Sequence, residues 1–256
     1  MIAILVAVKQ ELLPILRRVE SPQVVRLEHL DFHEGTLAGQ PVALLALGVG
    51  KDCARIAAEI TVRSYRPDLI ISAGFGGALH RDVNCGDLVV GTEILDLTSD
   101  DGYRIAARPV PVRLLRPELA FPDKSRLHRG KIVTVPEVLL KAVDKRRIGQ
   151  TTGALAVDME TSAVAAVAAA TGTEFLAVRC ITDGDRDNLP DQFNDFFVMG
   201  QLQSRRVLTA CIRDVRVLTD LAKLGYRAKR AGRNLAAFLE ATLPGLQAPA
   251  VAWRPS

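Results

Sequence analysis

Apolar residues fall in short continuous runs along this chain, and a polar or glycine-rich break follows nearly every run. "IAILVAV" has the length of a buried strand, and "KQE" with "LLPILRRV" predicts a helix starting beside its carboxyl end, with Glu11 at the junction. "DFHEGTLAGQPVALLAL" predicts two strands joined by a tight Ala-Gly-Gln turn, the second fully buried. In "GVGKDCARIAAEITVRSY" a glycine-rich bend opens an amphipathic helix, and in "PDLIISAGFGGAL" a buried strand empties into a second glycine bend. "GDLVVGTEIL", "GKIVTV", "GALAVDM" and "EFLAVRCI" add strands, and "ETSAVAAVAAATG" predicts a helix of small residues ended by Gly172. Strands alternating with helices predict an α/β layer fold with a mixed, mostly parallel sheet, in which ligands gather beyond the carboxyl ends of the strands. Those ends carry Glu11, Gly48 and Gly50, the Gly74–Gly77 bend, and Asp183, while Glu160 follows a fifth strand.

Composition narrows the class. The 256 residues are 48% hydrophobic, enough for one sizeable core, and neither a repeat nor a linker divides the first 200. No apolar run approaches the roughly 18 residues of a membrane span, and "MIAILVAV" lacks the features of a signal peptide, so a cytoplasmic protein is expected. Cys53, Cys85, Cys180 and Cys211 lie far apart with no C-x-x-C, and the four histidines have no metal-ligand spacing, so neither a disulfide framework nor a metal site is expected. The net charge of +4 is modest, and no nucleic-acid partner is expected. It is unevenly placed: nine basic residues lie between Arg205 and Arg233 against Asp214 and Asp220. Apolar residues at helical spacing run through the same segment, which predicts a basic, amphipathic C-terminal extension over 201–256. Such a helix can cover the core, meet a second subunit or rest on an anionic membrane surface.

Three acids stand out against these apolar runs. Asp158 and Glu160 interrupt an almost wholly apolar stretch, and Asp183 ends another buried strand. A single acid at such a place is as well explained by a helix cap, a turn or an ion pair. Glu11, Glu160 and Asp183, at the ends of three different strands, point instead to a shared site. The glycine bends could bring backbone N–H groups close to a phosphate or a sugar, but "GVGKD" and "GFGGAL" match neither nucleotide-binding fingerprint.

"GALAVDMETSAVAAVAAATGTEFLAVRCITDGD" resembles the signature of the purine nucleoside phosphorylase and nucleosidase superfamily, above all its 5'-methylthioadenosine/S-adenosylhomocysteine nucleosidases. "MIAILVAVKQEL", "VALLALGVGKDCA", "PDLIISAGFGGAL" and "VNCGDLVVGTEI" match further motifs of that family in order and at its spacing. The resemblance implies a three-layer α/β/α catalytic domain over 1–200 that cleaves the N-glycosidic bond of a 5'-substituted adenosine without a cofactor, in a homo-oligomer. Asp183 would protonate the purine from a dry or anionic setting, and Glu160 would bind the ribose hydroxyls with Met159 on the sugar's apolar face. Glu11 would activate the attacking water, and Asp158 would be a supporting ion pair or cap.

The chain also departs from that pattern. Phe75 stands where the nucleosidases have serine, beside Gly74, and Val138 and Leu139 stand where they stack an aromatic–aliphatic pair on the adenine. "TDGDRDNLPDQF" and the basic tail resemble the hopanoid-biosynthesis-associated branch, which implies a lipid-linked adenosine as substrate and peripheral contact with the inner membrane. Two rival readings fit the same residues. One is a phosphorylase with inorganic phosphate at the Gly48 and Gly74 bends, which would be expected to offer arginines to the anion, with Arg63 and Arg66 as the candidates in sequence. The other is a non-catalytic nucleoside-binding or scaffold protein working through its basic tail.

Overall fold

The computed structural model describes residues 1–98, 103–105, 108–109, 124–191, 193–194, 197–198, 201–202 and 215–246. Arg205, Arg206, Cys211, Arg213 and Asp214 lie outside them.

The central strand β1 (Ile2–Val6) shows how the layers arise. Ile2, Ile4 and Val6 point into one apolar cluster, while Ala3 and Leu5 point into another on the opposite face. A strand buried on both faces needs helices on both. The first cluster is closed by α1 (Lys9–Leu16) and a long C-terminal helix, numbered α5 (Val215–Thr242); the second is closed by α2 (Lys51–Tyr65) and α4 (Thr161–Thr171). This is the expected three-layer α/β/α arrangement. The C-terminal helix is part of the same core as β1, since Ala231, Leu235, Phe238 and Leu239 are buried in the first cluster together with Leu243 of the short 3-10 turn that follows.

β1 lies between β4 (Gln40–Ala46) and β5 (Leu69–Ala78), parallel to both. β2 (Glu20–Leu27) and β3 (Leu30–Leu37) extend the sheet antiparallel beyond β4. The two-residue loop between β3 and β4 has positive φ at both Ala38 (50°) and Gly39 (77°), the geometry that matches strand twist in a tight hairpin. β2 does not follow from the apolar pattern, which extends the first helix to Val19; the strand is an exposed edge with no buried face to leave a periodic trace.

On the other side, β5 is followed in the sheet by β10 (Ala154–Asp158), β9 (Leu127–Thr134), β6 (Leu88–Asp96) and β11 (Glu174–Asp183), and β11 pairs back onto β5. These five strands therefore close on themselves. β7 (Tyr103–Ile105) and β8 (Arg108–Pro109) add short pairings to β6 and β11, and β12 (Phe197–Val198) with β13 (Gln201–Leu202) forms a separate ribbon.

The closure corrects one expectation: Gly74 to Gly77 do not form a bend. β5 runs straight through them to Ala78, with Gly77 opposite both Asp183 of β11 and Val157 of β10. A Cβ on Gly76 would stand 3.0 Å from the Val157 carbonyl oxygen, so a side chain there would press the two strands apart by a few tenths of an ångström, and glycine lets them approach closely. The Gly48–Gly50 bend is as expected, with φ of 91° and 96°. A helix the apolar pattern does not predict, α3 (Ala142–Thr152), precedes β10.

Candidate active site

The carboxyl ends of β1, β5, β10 and β11 meet at one cavity of about 410 Å3. Glu11, Phe75, Val138, Leu139, Met159, Glu160 and Asp183 all line it. Gly48 and Gly74 do not; they stand just behind the wall, which their neighbours Val49, Phe75 and Gly76 form.

Glu11 lies in the first turn of α1 because β1 ends at Val6 and the chain turns at once into the helix. Its Oε2 accepts the N–H groups of Ala7 (2.7 Å) and Val8 (3.0 Å), and its Oε1 accepts the N–H of Phe75 (2.6 Å) on β5. That second contact explains Gly74, where a Cβ would come within 2.9 Å of Glu11 Oε1. Burial pushes the Glu11 carboxyl above the usual glutamate range, although the three backbone donors and the Arg179 charge pull the other way.

Glu160 precedes α4, and its Oε1 accepts the N–H of Gly50 (2.7 Å) from the glycine bend that opens α2. Burial first, then the neighbouring Asp158 charge, pushes its pKa up to about 8. Asp158 is both an ion pair and a cap. It accepts the backbone N–H of Thr161 (3.0 Å), the hydroxyl of Thr134 (2.8 Å) and Nε of Arg179 (2.7 Å). Arg179 is buried in mid-strand, and it spends its remaining donors on the Ser72 carbonyl, the Ser72 hydroxyl and the Val178 carbonyl. It is the local countercharge to Glu11, Asp158 and Glu160. A lone cation inside the apolar run "FLAVRCI" was the signal for it in the sequence.

Asp183 ends β11 against Gly77, where a Cβ would lie 3.0 Å from Asp183 Oδ2. Of the dry or anionic setting expected, the structure shows the dry one: Asp183 is buried, and its charged neighbour is a cation. The ammonium of Lys145, on α3, donates to Asp183 Oδ2, and the Thr182 hydroxyl donates to Oδ1 (3.0 Å). Lys145 is fully buried, and it was hidden in sequence within the polar run "KAVDKRRIGQ". Val138 is pinned by Asn194, whose side-chain oxygen accepts its N–H and whose amide donates to its carbonyl, both at 3.2 Å.

The rest of the wall is apolar, and part of it comes from the C-terminal helix: Leu221, Leu224, Gly225 and Ala228 of α5 face the cavity. Arg227, on the same helix, donates to Asp187 Oδ2 (2.7 Å), which also accepts the N–H of Gly184, so α5 holds the loop that follows Asp183. Among the described residues no cluster of side chains could hold a metal ion, and no helix is long and apolar enough to cross a membrane.

Known proteins share this architecture. The chain is 25% identical over 229 residues to a 5'-methylthioadenosine/S-adenosylhomocysteine nucleosidase of Shewanella halifaxensis, covering 84% of this chain and 99% of that protein. The fold matches the Neisseria meningitidis 5'-methylthioadenosine/S-adenosylhomocysteine nucleosidase solved with methylthio-immucillin-A (TM-score 0.75, 21% identity, 96% and 99% of the two chains). It also matches a futalosine hydrolase mutant of Helicobacter pylori (TM-score 0.73, 18% identity, 96% and 99%). The sequence pattern of the Phosphorylase superfamily extends over residues 1–213, and this chain belongs to that superfamily.

Proposed function

We propose that the protein splits the N-glycosidic bond of a 5'-substituted adenosine, with water as the nucleophile. The observation that carries this reading is the gathering of three buried acids from separate strand ends, Glu11, Glu160 and Asp183, on one otherwise apolar cavity. A ribosyl C–N bond breaks through a cation-like sugar, so the catalyst must protonate the leaving base, steady the ribose and deliver a nucleophile. In this reading Asp183 protonates the purine, which lies by Val138 and Leu139. Glu160 binds the ribose hydroxyls with Met159 against the sugar. Glu11 takes the proton of the attacking water, and its raised pKa makes it the stronger base. Gly48 and Gly74 act indirectly, through the bend that leads to Gly50 and the space that Glu11 occupies. The similarity to nucleosidases supports the same chemistry.

Water is favoured over inorganic phosphate by the charges present. Among the described residues that line the cavity the one cation is Lys145, committed to Asp183; Arg63 pairs with Glu28, and neither it nor Arg66 reaches the wall. In this reading the 5' substituent is bulky and apolar and lies against α5, whose Leu221, Leu224 and Ala228 add an apolar stretch to the cavity wall. Residues 1–200 then carry the chemistry, while 201–256 receive the 5' group and bring a lipid-linked substrate of the adenosylhopane kind from the membrane to a cytoplasmic homo-oligomer.

Incubating the purified protein with a panel of adenosine derivatives, with and without phosphate, and identifying the sugar tests this. Free adenine and a reducing 5-substituted ribose, formed equally without phosphate, are expected. A phosphate-dependent sugar 1-phosphate would make the enzyme a phosphorylase, and no free base from any derivative would leave a nucleoside-binding protein.

A further inference from the structure

Two buried cation–carboxylate pairs flank the cavity, and they differ in one respect. Arg179 holds Asp158, and an arginine keeps its proton; Lys145 holds Asp183, and a lysine can give its proton up. Among the described residues Lys145 is the only lysine whose side chain is buried. Its ammonium has three acceptors: Asp183 Oδ2, the Gly184 carbonyl (3.2 Å) and the Asp187 carbonyl (3.0 Å). If one proton moves to Asp183, the amine keeps two N–H groups for the two carbonyls, and its lone pair then faces the new Asp183 O–H. Every polar atom of the pair is satisfied in both forms, so moving the proton leaves no buried group unpaired.

Resting on the nucleosidase reading above, we propose that Lys145 is the proton reservoir of Asp183, a positioning residue that aims the carboxyl and loads it with the proton delivered to the purine. As the ribosyl C–N bond breaks, its electron pair moves onto the base; Lys145 Nζ gives one proton to the Asp183 carboxylate, and Asp183 passes that proton on to a ring nitrogen. This leaves a neutral amine beside an ionised carboxylate. The attacking water forms the new C–O bond and gives its proton to Glu11, which releases it to solvent, and a solvent proton restores the ammonium through Asp183.

The test compares Lys145→Met, Lys145→Arg, Asp183→Asn and the double variant Lys145→Met/Asp183→Asn, using full-length protein and purine ribosides whose bases differ in proton affinity. Thermal melts check that each variant folds. Lys145→Met should lose at least about 100-fold in kcat on the adenosine substrate, the scale of general-acid catalysis. Its rate should fall most steeply for the poorest leaving groups, with the same dependence as Asp183→Asn. The double variant should be no slower than Asp183→Asn alone, because both changes remove one proton donor. Lys145→Arg, which keeps the cation but holds its proton, should be as slow as Lys145→Met, and it decides the matter should the Met variant not fold. A uniform loss across leaving groups, losses that multiply in the double variant, or a near-normal rate in Lys145→Arg would each overturn the proposal. Failure of the wild type to release free base from any riboside would instead overturn the nucleosidase reading, and this proposal with it.

Discussion

Glu160 carries the sharpest electrostatic tension at the cavity. Burial and Asp158 push its pKa up to about 8, while the Gly50 N–H and Arg179 favour the ionised form without prevailing. The free enzyme therefore holds this carboxyl largely protonated at pH 7, whereas steadying a cation-like ribose calls for the anion. The sign follows: kcat/KM should climb as pH rises through about 8, where the proton leaves. Glu160→Gln should remove that limb, and at pH 9 it should lower kcat/KM by about 10- to 150-fold, the worth of a charge-assisted hydrogen bond of about 1.5–3 kcal/mol. The pH profiles of wild type and variant decide it, and the same rising limb in Glu160→Gln would take Glu160 out of the rate. Lowering of this limb by a 2'-deoxyribose substrate would tie the effect to the sugar hydroxyls.

At the level of elements, the site is made where β5 gives up side chains so that carboxylates from α1 and β11 can lie against its backbone. Gly74 is the cleanest case. A methyl group there would meet Glu11 Oε1 at 2.9 Å and Cδ at 3.2 Å, so the carboxylate must swing away from the Phe75 N–H. Misplacing a reacting group by about 1 Å can cost about a hundredfold in rate. Gly74→Ala is therefore expected to lower kcat by about 10- to 100-fold while the protein still melts cooperatively, because the obstructing atoms are the end of a side chain rather than backbone. A normal kcat in a folded Gly74→Ala protein would show that the position of Glu11 is immaterial. The strands most legible in the sequence are those that leave an apolar run: β1, β4, β5, β6, β9, β10 and β11, each buried by helices or by the closed sheet; β3 was legible from its turn with β4, and α1, α2, α4 and α5 from their helical spacing or their glycine and polar boundaries. β2 is exposed except at Val25 and Leu27, which are half-buried, and α3 buries only Ala142 and a lysine, so neither leaves a clear apolar trace. The three acids were legible for the same reason as the strands, because a polar residue shows against an apolar run. The partnership of Lys145 with Asp183 was not, since it joins residues far apart in sequence through a helix that has no apolar face.

Across the whole molecule, α5 links three things that sequence alone keeps apart: the core, the loop after Asp183 and the apolar wall of the cavity. Its second half is anchored by Leu235, Phe238 and Leu239, and Asn234 donates to the Gly86 carbonyl (2.9 Å) and the Ser125 hydroxyl (3.0 Å). Removing the segment would empty part of the core, so its part in substrate choice has to be tested by substitution. Gly225 faces the cavity, and a Cβ there would meet nothing within 4 Å. Replacing a helix-interior glycine also removes about 0.5–1 kcal/mol of helix penalty, so Gly225→Leu should fold at least as well as the wild type. The new side chain would occupy room that the proposed apolar 5' group needs, and each methylene kept from burial is worth about 0.8 kcal/mol, about fourfold. A long-chain 5'-alkylthioadenosine should therefore lose at least about tenfold in kcat/KM in Gly225→Leu, while methylthioadenosine changes by less than about threefold. The basic face is tested separately: Lys229 and Arg233 are exposed, and changing both to Glu should weaken binding to anionic vesicles at low salt without altering turnover of a soluble substrate. Equal losses for the short and long substrates would place the 5' group elsewhere in the cavity. Vesicle binding indifferent to the two charge reversals, or absent in the wild type, would confine α5 to its place in the core and the cavity wall.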